Sequence, residues 1–237
     1  MRIEIYPDDD AVARQAAAII AATARAAATA RGRFSMAVSG GRTPWLMLRA
    51  LADDELPWQH VQVFQVDERV APAGDPDRNL AHLRASLLDR VPLPADHIHA
   101  MPVEAADLDQ GAEQYARTLR EVAGSPPVLD LVHLGLGPDG HTASLVPGDP
   151  VLDVTDADVA LSGPYQGHRR MTLTFPIINR SRLVLWLVTG GDKAQTLVRL
   201  RDGDRSIPGS RVLGERALVL ADRAAAARLG NKEKVEA

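Results

Sequence analysis

The sequence predicts an α/β fold, an open and mainly parallel sheet flanked by helices. Three observations carry that expectation. Short β-rich runs alternate with longer helical stretches along the chain, the pattern that gives parallel pairing through helical crossovers. Leu129–Leu136 is a nearly continuous apolar run, as expected for a central strand buried on both faces. Three of the β-rich runs end directly in glycine-rich or charged turns, at the carboxyl ends where such sheets bind ligands.

Taken in order, Arg2–Tyr6 reads as a strand. Asp8–Asp10 then caps an alanine-rich helix running to about Ala30, since carboxylates suit a helix start and alanine its interior. Phe34–Val38 is a second strand, and Pro44 fits the first turn of a helix over Trp45–Leu51. Val61–Val66 is a third strand, ending at Asp67-Glu68-Arg69, and a loop with Pro72, Gly74 and Pro76 leads to a helix over Arg78–Leu88. Leu108–Val122 is a helix closed by Gly124, Pro126 and Pro127. After Leu129–Leu136, strands are expected at Met171–Phe175, Leu183–Thr189 and Ala217–Leu220, with helices after Asp192 and over Asp222–Leu229. No internal repeat or linker divides the chain, so one domain over 1–230 and a polar tail over 231–237 are expected.

Composition narrows the function. The 237 residues are 46% hydrophobic, enough for a substantial core. There is no cysteine, which excludes disulfides, thiolate metal sites and cysteine nucleophiles and fits a reducing compartment. The net charge of -4 argues against a general nucleic-acid binder. No segment is long and apolar enough to span a bilayer, and the N-terminus lacks a secretory pattern. The expected location is the cytoplasm. Lysine occurs only at Lys193, Lys232 and Lys234 in an arginine-rich chain.

Four motifs carry chemistry. Ser39-Gly40-Gly41-Arg42-Thr43-Pro44 follows a strand and opens a helix. Its glycines expose N–H groups at a helix N-terminus, which makes a cradle for an anion such as a phosphate ester. On its own it is equally an ordinary strand–helix turn. It is neither a Walker loop nor a complete dinucleotide fingerprint. Asp67-Glu68-Arg69 sets an acid and a base two residues apart, so both can project from one strand end. Gly135-Leu136-Gly137-Pro138-Asp139-Gly140-His141 is the strongest signal. A histidine here can exchange protons near neutral pH, and Asp139 can orient it or a substrate hydroxyl. Ser144 lacks the Gly-x-Ser-x-Gly elbow of a nucleophile. His97 and His99 offer two metal ligands without an obvious third. Gly190-Gly191-Asp192-Lys193 puts a cation in a helix's first turn, where the dipole disfavours it and an anionic ligand would compensate. Arg169 and Arg170 can join it. Trp45, Trp58 and Trp186 are expected in the core.

These motifs in this order resemble the 6-phosphogluconolactonase family. The resemblance runs from Ser39–Pro44 through Asp67-Glu68-Arg69 and Asp77-x-Asn79 to Leu134–Leu145 with Pro147-Gly148. It continues through Arg170-Met171-Thr172-Leu173-Thr174-x-Pro176-x-x-Asn179 to Gly190-Gly191-x-Lys193-Ala194. It implies a single-domain, Rossmann-like fold of the isomerase–deaminase type and hydrolysis of a sugar-phosphate lactone without metal or cofactor. It implies that Ser39, Gly40, Gly41, Arg42 and Thr43 hold the phosphate with Arg170 and Lys193. His141 is then the general base, oriented with Asp139, while Arg69 stabilises the oxyanion and Asp67 orients Arg69 or a sugar hydroxyl. Glucosamine-6-phosphate deaminases share the loops but carry an extra acid after the histidine, where this chain has Ser144-Leu145-Val146-Pro147-Gly148. A non-catalytic sugar-phosphate sensor is the alternative outside the enzymes. Two segments depart from the family pattern: Arg42 replaces a small hydroxyl residue, and Gly163–His168 is less proline-rich than usual.

Overall fold

The chain begins at one edge of a parallel sheet, and its computed structural model describes residues 1–230; the tail expected over 231–237 lies outside the described residues. β1 (Arg2–Tyr6) leads into α1 (Asp9–Arg31), which starts at Asp8, whose carboxylate accepts the Ala11 N–H at 2.8 Å. The helix ends at Gly32 with φ 69°, a left-handed cap. Its buried face is Val12, Ala13, Ala16, Ala17, Ile20, Ala21, Ala24 and Ala27, at helical spacing, and the small side chains let it lie close to sheet and neighbour. β2 (Phe34–Val38), α2 (Arg42–Ala52) and β3 (Val61–Gln65) follow. Then come β4 (Asp67–Arg69) and α3 (Asn79–Leu83), which continues as a π-helical turn over Arg84–Leu88. β5 (Ile98–His99), α4 (Leu108–Ala123) and β6 (Leu131–Gly135) complete the first half. β7 (Val159–Tyr165), β8 (His168–Leu173), α5 (Phe175–Arg180), β9 (Val184–Val188), α6 (Ala194–Arg201) and β10 (Ala217–Asp222) complete the second.

Seven strands form one sheet in the order β1-β10-β9-β6-β2-β3-β5, and every neighbouring pair is parallel. Its two faces bury two cores, and the strands alternate between them as a period of two requires. On β9, Val184, Trp186 and Val188 enter one core, while Leu185 and Leu187 enter the other. The second core takes the buried faces of α1 and α2.

Several sequence expectations shift. Asp67-Glu68-Arg69 is not a strand-end turn but β4, the edge of a separate antiparallel sheet, β4-β8-β7. That sheet was not anticipated, because β7 lacks a strong apolar alternation. The helix expected to start at Trp45 starts at Arg42, so Gly41 is its N-cap and Arg42-Thr43-Pro44 lie in its first turn. The strand expected over Met171–Phe175 covers His168–Leu173, and Phe175-Pro176 opens α5, where proline suits the first turn. Asp222 ends β10 instead of starting a helix, and a short 3-10 turn over Ala225–Arg228 stands where that helix was expected. Trp58 and Trp186 are buried; Trp45 is only half-buried and stacks on His82 at 5.4 Å.

Strand order reverses between β2 and β6. The chain proceeds from β2 outward through β3 to β5, then returns to β6 and proceeds the other way through β9 and β10. Loops leaving these two strands diverge and open a crevice at their carboxyl ends. Asp130 fastens the opposite ends of the pair. Its buried carboxylate accepts the Ser35 N–H at 2.8 Å and the Ser35 hydroxyl at 3.1 Å, and pairs with Arg31 at 2.7 Å. Asp130→Ala leaves the buried Ser35 donors unmatched, so a loss of about 2–4 kcal/mol is expected, measured as a lower denaturant midpoint at unchanged slope.

Candidate active site

The crevice is a cleft of about 930 Å³. One wall comes from the loop after β2. Ser39, Gly40, Gly41, Arg42 and Thr43 all line it. The N-terminus of α2 has no side-chain cap, so its first N–H groups are left for a ligand or solvent. Gly40 is required by close approach: a Cβ there would lie 2.1 Å from Asn79 Oδ1. Ser39 lies deeper than its motif suggests. Its N–H donates to His133 Nδ1 at 3.2 Å and its hydroxyl to the His133 carbonyl at 3.1 Å. Both donors are thus taken by the sheet and not by a ligand. Burial pushes His133 down to about 3, which keeps the imidazole neutral and Nδ1 an acceptor. Arg42 departs from the expected phosphate role as well, because its side chain is 84% exposed and pairs with Asp9 at 2.5 Å.

The facing wall comes from the turn after β6. His141 Nδ1 lies 2.6 Å from Asp139 Oδ1, which also accepts the His141 backbone N–H at 3.1 Å. With Nδ1–H donating to that carboxylate, Nε2 is left as the basic nitrogen. Gly137 makes this geometry possible, since a Cβ there would lie 2.1 Å from His141 Nδ1. Partial burial raises the Asp139 carboxyl, but the bonds from the His141 N–H and imidazole outweigh it, and the net shift is downward.

The floor is cationic. Arg69 donates to the Asp77 carbonyl and to Asn79 Oδ1, both at 2.7 Å. Asn79, and not Asp67, therefore holds the guanidinium in place. Asp67 is buried; it accepts the Ser144 hydroxyl at 2.7 Å and faces Arg170 at 3.8 Å. Burial pushes its carboxyl up, against the lowering effect of Ser144, Arg69 and Arg170. Arg170 is buried beside it; Arg169 is exposed. Lys193 lines the cleft from the start of α6 and pairs with Asp192 at 2.8 Å. Asp222 secures that loop by accepting the Gly190 N–H at 3.0 Å and the Ala225 N–H at 2.7 Å.

The structure thus brings His141, Arg69, Asp67, Arg170, Lys193 and the loop 39–43 to one cleft, with Asp139 directly behind His141. Sequence reasoning did not give roles to Asn79, Ser144, Glu68 or Tyr165. The Asp77-x-Asn79 spacing was a usable signal for Asn79; the others depend on long-range contacts. His99, weighed as a metal ligand, has Nε2 2.7 Å from Gln62 Oε1. Because the Asp139 carboxyl is lowered, its ionised form is retained above the ordinary carboxylate range and lost only as pH falls through the lowered value. Carbon-13 titration of its carboxyl should give a midpoint below about 3.9; a higher midpoint would mean that burial dominates.

Known proteins resemble the chain in sequence and fold. The family model described as glucosamine-6-phosphate isomerases/6-phosphogluconolactonase matches residues 7–220. A 6-phosphogluconolactonase of Synechocystis is 44% identical over 171 residues, covering 70% of this chain and 71% of the relative. One of Mycobacterium tuberculosis is 37% identical over 241 residues, covering 96% and 98%. The structure of 6-phosphogluconolactonase from Trypanosoma cruzi superposes with a TM-score of 0.86 at 26% identity, covering 97% of each chain. The chain belongs to the glucosamine-6-phosphate isomerase/6-phosphogluconolactonase family.

Proposed function

We propose that the chain hydrolyses 6-phospho-D-glucono-1,5-lactone to 6-phosphogluconate, a step of the oxidative pentose phosphate pathway, and does so in the cytoplasm. Relatives named 6-phosphogluconolactonase over most of the chain support the activity. The single structural observation that carries it is the Asp139–His141 pair facing an uncapped helix N-terminus across one cleft. That arrangement suits a small ring with a phosphate at one end and an ester at the other.

In this reading the phosphate binds the first N–H groups of α2, with Lys193 and Arg170 supplying positive charge. Binding at that remote end fixes the ring, so orientation lowers the barrier at the carbonyl. His141 Nε2 takes a proton from water as the water oxygen bonds to the lactone carbonyl carbon. The carbonyl oxygen becomes an oxyanion, which Arg69 stabilises. The intermediate collapses with cleavage of the bond to the ring oxygen, and His141 returns the proton to that leaving oxygen. Asp139 keeps the imidazole in the required tautomer throughout. Asp67, tied to Ser144 and Arg170, acts by fixing Arg170, and Asn79 fixes Arg69.

Deamination of an amino sugar phosphate fits this cleft less well. The first carboxylate after His141 is Asp149, and its oxygens accept the Val151 and Gly163 N–H groups at 2.9 and 2.8 Å. It is committed to the backbone. No ammonia release from glucosamine 6-phosphate is expected; release at a rate comparable with lactone opening would reverse the assignment.

With the spontaneous reaction subtracted, His141→Ala should lower kcat about a hundredfold or more with little change in KM. Near-normal turnover would remove His141 from the base role. Lys193→Ala should chiefly raise KM, and an unchanged KM would place the phosphate elsewhere.

A further inference from the structure

The hairpin joining β7 to β8 has no part in the steps above, yet its tip lies against the reactive histidine. It turns through Gln166 and Gly167 with φ of 51° and 85°, two successive left-handed residues, as a tight two-residue hairpin requires. Gln166 carries a side chain in that costly region. The turn is flanked by the paired residues Tyr165 and His168. On one side His168 Nε2 lies 3.3 Å from Asp77 Oδ2, in the segment that also holds Arg69. On the other side the Tyr165 hydroxyl donates to Asp139 Oδ2 at 3.2 Å and lies 3.3 Å from His141 Nδ1. The phenol ring meets the imidazole edge-on at 5.1 Å, and the Arg170 guanidinium lies 5.2 Å from its centroid.

We propose that Tyr165 is a positioning residue for the reaction: its hydroxyl anchors Asp139 so that the carboxylate holds His141, and its ring packs against both the imidazole and the Arg170 guanidinium. The inference rests on the reading of His141 as the base. Asp139 has a side chain 37% exposed, and a carboxylate at that exposure rotates freely unless both oxygens are held. Oδ1 is held by His141 itself. Among the described residues, Oδ2 has Tyr165 as its hydrogen-bonding partner. Without the hydroxyl, the group that orients the base is secured only by the base. Partial burial and the Asp139 charge push the phenol above its ordinary range, so it is a donor throughout neutral pH. Asp139, on the same turn, is paired with His141, and Arg170, on β8, lies over the phenol; Arg69, Asp67 and Lys193 line the same cleft.

Tyr165→Phe keeps the ring and removes the hydroxyl, so it separates positioning from packing. In the full-length chain the expected result is a kcat lower by about tenfold, a KM within about twofold and an unchanged Tm. Losing the hydroxyl changes how Asp139 meets the imidazole, so the acid limb of the kcat/KM profile should move. Tyr165→Ala, which also unpacks Arg170, should lower kcat further and raise KM. Wild-type kcat and an unmoved acid limb in Tyr165→Phe, alongside an inactive His141→Ala, would overturn the role of Tyr165 and leave the base intact. Near-normal turnover in His141→Ala would overturn both.

Discussion

The cleft exists because strand order reverses at β2 and β6, and that pair is held at both ends by buried side-chain bonds to backbone. At the entry ends Asp130 accepts from Ser35, and at the exit ends His133 Nδ1 accepts the Ser39 N–H. Parallel strands so fastened have no freedom to slide. A slip of one residue would turn each side chain to the other face of the sheet. The reversal alone would give a crevice, but not a crevice of fixed width. The two bonds set the loops 39–43 and 135–141 in fixed register, so these two walls of the cleft stay at one distance from each other.

A second buried carboxylate organises the cationic floor. Glu68 is fully buried and accepts four hydrogen bonds at 2.8 Å, from the N–H groups of Arg69, Asn79 and Leu80 and from Gln65 Nε2. Arg78, itself buried, approaches it at 3.3 Å. A carboxylate in a dry interior is tolerated only when its lone pairs are satisfied and its charge is matched; here both conditions hold. The consequence reaches the cleft. By binding the backbone on either side of the 70–78 loop, Glu68 joins β4 to the start of α3, which places Asn79 beside Gly40 and Arg69 against Asn79. Glu68, flanked by two residues with site roles, acts wholly beneath the surface.

What the sequence made legible follows from the range of the interactions involved. The strands β1, β2 and β3, the long helices and the glycine turns are specified by local pattern, by period, caps and apolar runs, and they lie where those patterns put them within a few residues. His141 and Asp139 were legible for the same reason, because two residues in one tight turn meet without help from the rest of the fold. The small antiparallel sheet was not legible. Its β4–β8 pairing joins residues about a hundred positions apart, such as Arg69 with Arg170, and no local signal marks it; β7 and β8 pair locally, but β7 lacks a strong apolar alternation. Ser39 and Arg42 show the limit within a motif. The residue types suit an anion cradle, yet Ser39 turns to His133 and Arg42 to Asp9. Backbone amides, which every residue carries, remain as the part of the loop suited to an anion.

That division bears on how a chain with a net charge of -4 can attract a dianionic substrate. Three cations at the cleft already have a carboxylate partner, Arg42 with Asp9, Arg170 with Asp67 and Lys193 with Asp192, while Arg69 is held by the Asp77 carbonyl and Asn79. The buried Asp67 charge offsets the repulsion between Arg69 and Arg170, and a paired side-chain cation must exchange one anion for another on binding. Such an exchange gains little net charge energy where water screens the pair, as at Asp192, and more where the pair is buried. The uncapped end of α2 has no carboxylate partner to give up, and its partial positive charge and directed N–H groups are fixed by the backbone before the ligand arrives. In the proposed binding mode, attraction that needs no rearrangement comes from the helix end, and the paired cations then refine the fit. In that mode the glycines at 40 and 41 matter more to recognition than the charge at 42: they would let a phosphate approach main-chain donors whose geometry no side-chain competitor can disturb.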